Sequence, residues 1–289
     1  MKRVFLIPNA ITAFGLTCGL FVIFKTSFAD PSRDLFSILQ ASAILLLIAA
    51  LADLADGAVA RMIKAESEFG GQFDSLSDSV TFGVAPPLLI LKSLTGEDIG
   101  RLLTFFVIIG AMIYTLCGVL RLVRYNIKTK EMKESGDEEA KLKAKKYFTG
   151  LPIPAAAAAS VSAALILVSP EVKNGLALSA RTQALILIGV MLLIGYFMVS
   201  RWKFPSAGAL HFRVPSIYLV FATGILAVLF LYGILDYFAE AFFIASWLYL
   251  VIACSLSIVR LIAGKRSKTL ADFDPDTEES SDHEDHKSN

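Results

Sequence analysis

From Leu35 to Arg61 the sequence reads LFSILQASAILLLIAALADLADGAVAR, an uncharged run of 18 residues followed by two aspartates and an arginine. An α-helix rises about 1.5 Å per residue, so about 20 apolar residues cross the ~30 Å hydrocarbon core of a bilayer. The run therefore predicts a membrane-spanning helix. Its charged end predicts polar groups close to the point where that helix meets the membrane surface.

Further apolar stretches predict an all-α, polytopic membrane protein. Six more stretches of at least 18 residues lack Asp, Glu, Lys and Arg: Val4–Phe24, Leu102–Leu120, Tyr147–Pro170, Thr182–Ser200, Val214–Leu235 and Ala241–Val259. An eighth, Ser79–Leu91, has 13 residues and spans only if its helix begins near Phe69 and includes Asp74 and Asp78. The composition of the 289 residues agrees, with 55% hydrophobic residues and a mean hydropathy of +0.64.

The distribution of Lys and Arg favours eight spans with both termini in the cytoplasm. This topology puts 21 of the 27 basic residues on one side of the membrane. Seven spans, with residues 69–91 not crossing, give 19 against 8 and remain an alternative. A cleaved signal peptide is a weaker interpretation of the start, because the first apolar run is long for one.

Composition divides the chain into a membrane domain, residues 1–265, and a disordered acidic tail, residues 266–289. The segment Ala271–Asn289 holds eight acidic residues and too few apolar ones to form a core. The 27 basic and 26 acidic residues of the whole chain nearly cancel, so no nucleic-acid partner is expected. The three cysteines have no close spacing and predict neither a disulfide framework nor a thiolate metal site.

Acidic residues at helical spacing follow span two and begin span three. Asp53 and Asp56 share one helix face, and Asp74 and Asp78 share another. A hairpin of the two helices points four carboxylates into one cavity at the cytoplasmic side. Two unit charges about 5 Å apart repel by ~3 kcal/mol at an effective dielectric constant of 20. Some of these groups are therefore protonated, or cations neutralise them.

Carboxylates without nearby His or Cys suit hard ions such as Mg²⁺, Ca²⁺ or Mn²⁺, and two-metal sites serve displacement at phosphorus. Arg61 adds a planar cation that can bind a phosphate. Gly57 and Gly70 lie on the acidic faces, where a bulky ligand can approach the backbone. Tight helix packing explains Gly57 and Ala60 equally well.

Eight residues at fixed spacing form the pattern Asp53-x2-Asp56-Gly57-x2-Ala60-Arg61-x8-Gly70-x3-Asp74-x3-Asp78. This pattern resembles the signature of the CDP-alcohol phosphotransferases, membrane enzymes that transfer a phosphoalcohol from a CDP-linked donor to a second alcohol and release CMP. The resemblance implies two divalent ions, Mg²⁺ or Mn²⁺, held by Asp53, Asp56, Asp74 and Asp78, with Asp78 also the general base. It implies nucleotide or diphosphate contacts at Asn9, Thr12, Gly57, Ala60, Arg61, Ser67 and Gly70.

Three strings outside the motif resemble the serine-using branch of that family: Ile7-Pro8-Asn9, Arg121-Leu-Val-Arg124-Tyr-Asn126 and Gly150-Leu-Pro-Ile-Pro154. The resemblance implies CDP-diacylglycerol and L-serine as substrates, and a homodimer in the cell membrane with its active site facing the cytoplasm. Arg121, Arg124 and Asn126 are then expected to bind the acceptor, although positive-inside anchoring explains both arginines equally well.

Two other functions remain open at this point. One is the same chemistry with another acceptor, glycerol 3-phosphate or inositol phosphate. The other is a cation transporter, because intramembrane carboxylates commonly mark ion pathways.

Overall fold

The structure, a computed structural model, describes residues 6–29, 34–63, 67–135, 147–176, 178–200, 202–205 and 237–263. In chain order its elements are α1 (Leu6–Phe28), α2 (Leu35–Met62), α3 (Glu68–Asp78), a π-helical turn (Ser79–Val84), α4 (Ala85–Ser93), α5 (Arg101–Ser135), β1 (Tyr147–Thr149), α6 (Ile153–Val168), α7 (Pro170–Leu176), α8 (Ala180–Val199), β2 (Lys203–Pro205) and α9 (Phe238–Ala263). Strands β1 and β2 pair antiparallel, with Phe148 opposite Phe204.

The prediction of a helical, polytopic membrane protein is confirmed. Within the described ranges, five helices are long and apolar enough to cross a membrane, namely α1, α2, α5, α8 and α9. Helix α6 is apolar but shorter, with 16 residues. The predicted span Val214–Leu235 and the acidic tail lie outside the described residues. Eight spans and cytoplasmic termini therefore stay predictions.

The helix that carries two of the four acids begins where the sequence requires. Ser67 caps α3, and its hydroxyl oxygen accepts a hydrogen bond of 3.0 Å from the Gly70 N–H. Helical backbone then continues without a break from Glu68 through the π-helical turn to Ser93. The helix that contains the apolar stretch Ser79–Leu91 therefore also contains Asp74 and Asp78, as the length of a span predicts.

The π-helical turn directly follows Asp78 and precedes two prolines. Pro86 and Pro87 have no N–H to donate to the carbonyls four residues earlier, those of Phe82 and Gly83. Hydroxyls of α5 replace those donors: Tyr114 donates to the Phe82 carbonyl at 3.3 Å, and Thr115 donates to the Gly83 carbonyl at 2.9 Å. Lipid offers no hydrogen-bond donors, so these carbonyls need donors from the protein. The two contacts join α5 to the continuous helix of residues 68–93, which carries Asp78.

Helix α1 packs closely against the same continuous helix, at Gly19. A Cβ built on Gly19 would lie 2.8 Å from the Thr81 Cβ, a distance that side chains do not tolerate. On the other side, α1 packs along α2, where the Gly15 position faces the Ala49 carbonyl. Helix α1 thereby holds α2 and α3 at fixed positions on either side of it.

The helix of one predicted span is shorter than its uncharged stretch. Tyr147–Pro170 lacks charged residues, and helix α6 occupies Ile153–Val168 of it. Gly150 has φ +82°, and a Cβ there would lie 2.5 Å from the Met198 carbonyl oxygen. The chain turns at this glycine, and Pro152 then caps α6. Charge counting missed the turn because residues 147–152 carry no charge.

Candidate active site

Acidic side chains from α2 and α3 converge, as the hairpin prediction requires. One carboxylate oxygen from each of Asp53, Asp56 and Asp74 lies within 4.8 Å of the others. Asp78 lies outside this close group but lines the same small cleft. The arrangement therefore separates a compact trio of carboxylates from a fourth one beside it.

Helix α1 supplies the third wall of the cleft. The Thr12 hydroxyl donates a hydrogen bond of 2.5 Å to Asp56 Oδ2, and Asp56 is 5% exposed. The buried Ser77 hydroxyl of α3 lies 3.5 Å from the Thr12 carbonyl. Thr12 thus contacts both acidic helices and orients one of the clustered carboxylates.

The charges of this cleft are unbalanced. Asp53 and Asp74 lie within hydrogen-bonding distance of each other, and Asp78 is close enough to both to repel them electrostatically. Arg121 of α5 is the cation that acts on both Asp53 and Asp78. Three oxygen-donating side chains within one coordination sphere, with no His or Cys among them, fit a hard divalent cation.

A second group of predicted residues gathers beside the acids. A Cβ built on Gly70 would lie 3.0 Å from Ser67 Oγ and 3.2 Å from Asn9 Oδ1. The structure thus brings together three residues that the sequence resemblance placed near the nucleotide, although they come from α1 and from the start of α3. A small residue at position 70 keeps the space between the two polar side chains open.

The arginine of the motif folds back along its own helix. Arg61 is exposed, and its Nη1 lies 3.4 Å from the position that a Cβ on Gly57 would occupy. Ala60 is partly buried on α2. The guanidinium of Arg61 therefore lies over Gly57, and it interacts electrostatically with Asp56 of the trio.

The three residues predicted to bind the acceptor take different places. Arg121 is buried, 7% exposed, and lies near Asp78. Arg124 instead donates to the carbonyls of Val199 and Ser200 at 2.8 and 3.2 Å, joining α5 to the end of α8. Asn126 exchanges hydrogen bonds with Ser75 of α3 at 2.9 and 3.2 Å. Arg124 and Asn126 thus also hold α5 against α8 and α3, and acceptor binding by any of the three residues stays a prediction.

Sequence reasoning missed two residues of this region. Thr81 lines the cleft, is 1% exposed, and its Oγ1 has no hydrogen-bond partner among the described residues. Its position three residues after Asp78 was a usable signal. Tyr249 of α9 lies close enough to Arg121 to interact electrostatically. No sequence pattern connects residues 121 and 249, so only the packing of α9 reveals this neighbour.

A cluster of carboxylates beside an arginine and a polar, glycine-lined recess fits an enzyme site of the metal-dependent, phosphate-handling class. Residues 5–195 match the family described as CDP-alcohol phosphatidyltransferase. The chain belongs to that family. The resemblance based on the eight-residue pattern is thereby confirmed.

Curated relatives share one name, CDP-diacylglycerol–serine O-phosphatidyltransferase. The protein of Helicobacter pylori (strain J99) is 33% identical over 207 residues, which cover 71% of this chain and 74% of the relative. That of Bacillus subtilis (strain 168) is 31% identical over 72% of this chain and 91% of its own length. That of Mycobacterium tuberculosis (strain H37Rv) is 32% identical over 54% of this chain. The match spans about half, 48%, of the mycobacterial protein.

Proposed function

We propose that this chain transfers the phosphatidyl group of CDP-diacylglycerol to the hydroxyl of L-serine, giving phosphatidylserine and CMP. The observation that carries the proposal is the convergence of Asp53, Asp56 and Asp74 with Asp78 in the same cleft. The names of the relatives support serine as the acceptor.

The positions of the four aspartates favour different roles for them, metal binding for the trio and proton transfer for Asp78. The trio, with Asp78 beside it, would hold two divalent ions, Mg²⁺ or Mn²⁺, as the family resemblance implies. These ions would neutralise charge on the donor diphosphate. Asp78 lies apart from the trio and beside Arg121, so its carboxylate is placed to take a proton from an acceptor hydroxyl.

The reaction then proceeds as a single displacement. Asp78 removes the proton of the serine hydroxyl as that oxygen attacks the phosphorus that carries the lipid. The new P–O bond forms, the P–O bond to CMP breaks, and CMP leaves with the electron pair. The part of the chain that the structure describes offers no Ser–His or Cys–His pair near the cleft, so the proposal contains no covalent enzyme intermediate.

The nucleotide, the diphosphate and the acyl chains of the donor each have suitable surroundings in this proposal. Asn9, Thr12, Ser67 and Gly70 lie beside the trio on the nucleotide side, with Gly57, Ala60 and Arg61 along α2. An apolar cavity of about 290 Å³ between α2, α6 and α9, lined by Leu47, Ala155 and Phe242 among others, suits acyl chains. The proposal thus places the diphosphate between a polar recess and an apolar one.

The proposal includes finer features carried by the family resemblance and by charge distribution. They are a domain over residues 1–265, eight spans with cytoplasmic termini, a site facing the cytoplasm of the cell membrane, and a homodimer. Loop charges support the orientation, because eight spans would put the acidic cluster at the same membrane face as most Lys and Arg residues.

One assay tests the function and separates its alternatives. Purified protein receives CDP-diacylglycerol and a divalent ion with serine, glycerol 3-phosphate or inositol phosphate in separate reactions, and CMP is followed. We expect CMP release and a phosphatidylserine product with serine alone. Release only with another acceptor would reassign the branch. Ion flux in proteoliposomes without nucleotide, together with no CMP release, would favour a transporter.

Arg61→Ala is expected to weaken donor binding. The guanidinium interacts electrostatically with Asp56, and a charge-assisted contact to a phosphate contributes about 1.5–3 kcal/mol, so KM for CDP-diacylglycerol should rise roughly 10- to 100-fold. KM for serine should change little. Steady-state kinetics with each substrate varied in turn measures both values. Lys128→Ala, which removes an exposed cation from α5, is the matched control. A defect confined to serine would contradict the assignment.

A further inference from the structure

Arg121 is a buried cation with unused hydrogen-bonding capacity. It is 7% exposed, and among the described residues its Nε has no hydrogen-bond partner. A buried guanidinium is costly unless an anion compensates it. Asp78 and Asp53 are its acidic neighbours, and both belong to the proposed metal and base machinery.

The unpartnered Nε of Arg121 is a donor that a bound substrate can satisfy. Nε and one Nη of a guanidinium form a planar pair of donors that matches a carboxylate. The acceptor serine carries such a carboxylate close to the hydroxyl that reacts.

The last helix brings a further polar group to Arg121. Helix α9 is fixed on α6 by two contacts: the hydroxyls of Ser246 and Ser162 are 2.8 Å apart, and Trp247 Nε1 donates to the Ala159 carbonyl at 3.2 Å. Tyr249 follows Ser246 by three residues and therefore shares its helix face. Tyr249 thus lies on the face of α9 that packs against α6.

Tyr249 stands between two environments. Its side chain lines the apolar cavity together with Ala155, Ala158 and Phe242. It is also close enough to Arg121 for the two groups to interact electrostatically. A tyrosine combines an apolar ring with a polar hydroxyl, so it suits a boundary between a lipid chain and a charged group.

We propose that Tyr249 and Arg121 together bind the carboxylate of the acceptor, so that α9 completes the acceptor end of the site. The inference rests on the proposed function for the identity of the acceptor. The family match ends at residue 195, so α9 lies beyond the region that defines the family. The shared region would then supply the phosphotransfer chemistry, and the added helix would select an acceptor that carries a carboxylate.

Tyr249→Phe tests the inference with the loss of one oxygen atom. We expect KM for serine to rise about 10-fold, as loss of a hydrogen bond to a charged group predicts. KM for CDP-diacylglycerol should stay within about twofold, because the donor's polar contacts come from α1, α2 and α3. Tyr237→Phe, at an exposed tyrosine just before α9, is the matched control and should leave both values unchanged.

Direct binding separates the inference from the proposed function. Equilibrium dialysis of radiolabelled L-serine against protein saturated with CMP and Mg²⁺ gives a Kd without turnover. A rise of about 10-fold in that Kd for Tyr249→Phe supports the carboxylate site even if no acceptor releases CMP, in which case the proposed function alone falls. CMP release with serine at wild-type KM in Tyr249→Phe, with unchanged serine Kd, overturns the inference alone. An equal rise of both KM values overturns it as well, because that result indicates a general packing defect.

Discussion

Asp78→Asn is expected to lower the rate of CMP release by about 10²–10⁴-fold, the contribution of a positioned general base. Asparagine keeps the size of the side chain, so the cleft and the adjoining π-helical turn should stay intact. It removes the capacity to accept the acceptor's proton, which the mechanism assigns to this residue. Single-turnover measurement of CMP, with serine saturating, gives the rate of this step.

Donor binding distinguishes a lost base from a damaged site. Because Asp53, Asp56 and Asp74 form the compact trio without Asp78, we expect Asp78→Asn to bind CDP-diacylglycerol within a few-fold of the wild-type affinity. Asp98→Asn makes the same chemical change at an exposed carboxylate outside the cleft and serves as the control. Wild-type turnover in Asp78→Asn would remove the base assignment, and loss of donor binding would make Asp78 chiefly a metal ligand.

The acidic hairpin was predictable because two local rules act together. A span needs about 20 residues, and the apolar run before Leu91 is too short without Asp74 and Asp78. Helical spacing then fixes which side chains share a face. Neither rule depends on how the other helices pack. In the structure α3 begins at Glu68, and the acids meet in one cleft.

The acceptor side depends on contacts between distant segments, and there the sequence was a poorer guide. Arg121 and Arg124 lie three residues apart on one helix, yet the first is buried near Asp78 while the second binds carbonyls at the end of α8. The curvature and packing of α5 decide between these places, and no local pattern records them. Tyr249 was invisible for the same reason, since 128 residues separate it from Arg121.

Removal of divalent cations is expected to abolish turnover. Three carboxylates with oxygens within 4.8 Å repel one another in a poorly hydrated cleft, and a diphosphate would add further negative charge. The donor therefore has no stable position there without cations. Dialysis against EDTA followed by the CMP assay should give no release, and Mg²⁺ or Mn²⁺ added in excess of the chelator should restore it.

A thermal measurement links this loss to the aspartates themselves. A ligand that binds only the folded state stabilises it by RT ln(1 + [L]/Kd), about 2.7 kcal/mol at a concentration of 100 times Kd. Mg²⁺ should therefore raise the melting temperature of the protein in detergent even without donor. Asp53→Asn should reduce that rise, because Asp53 belongs to the trio, whereas Glu97→Gln, at an exposed loop carboxylate, should keep it. Full activity in EDTA, or a Mg²⁺-dependent rise that Asp53→Asn leaves unchanged, would refute a metal site at these aspartates and leave the repulsion among them to be relieved by protonation alone.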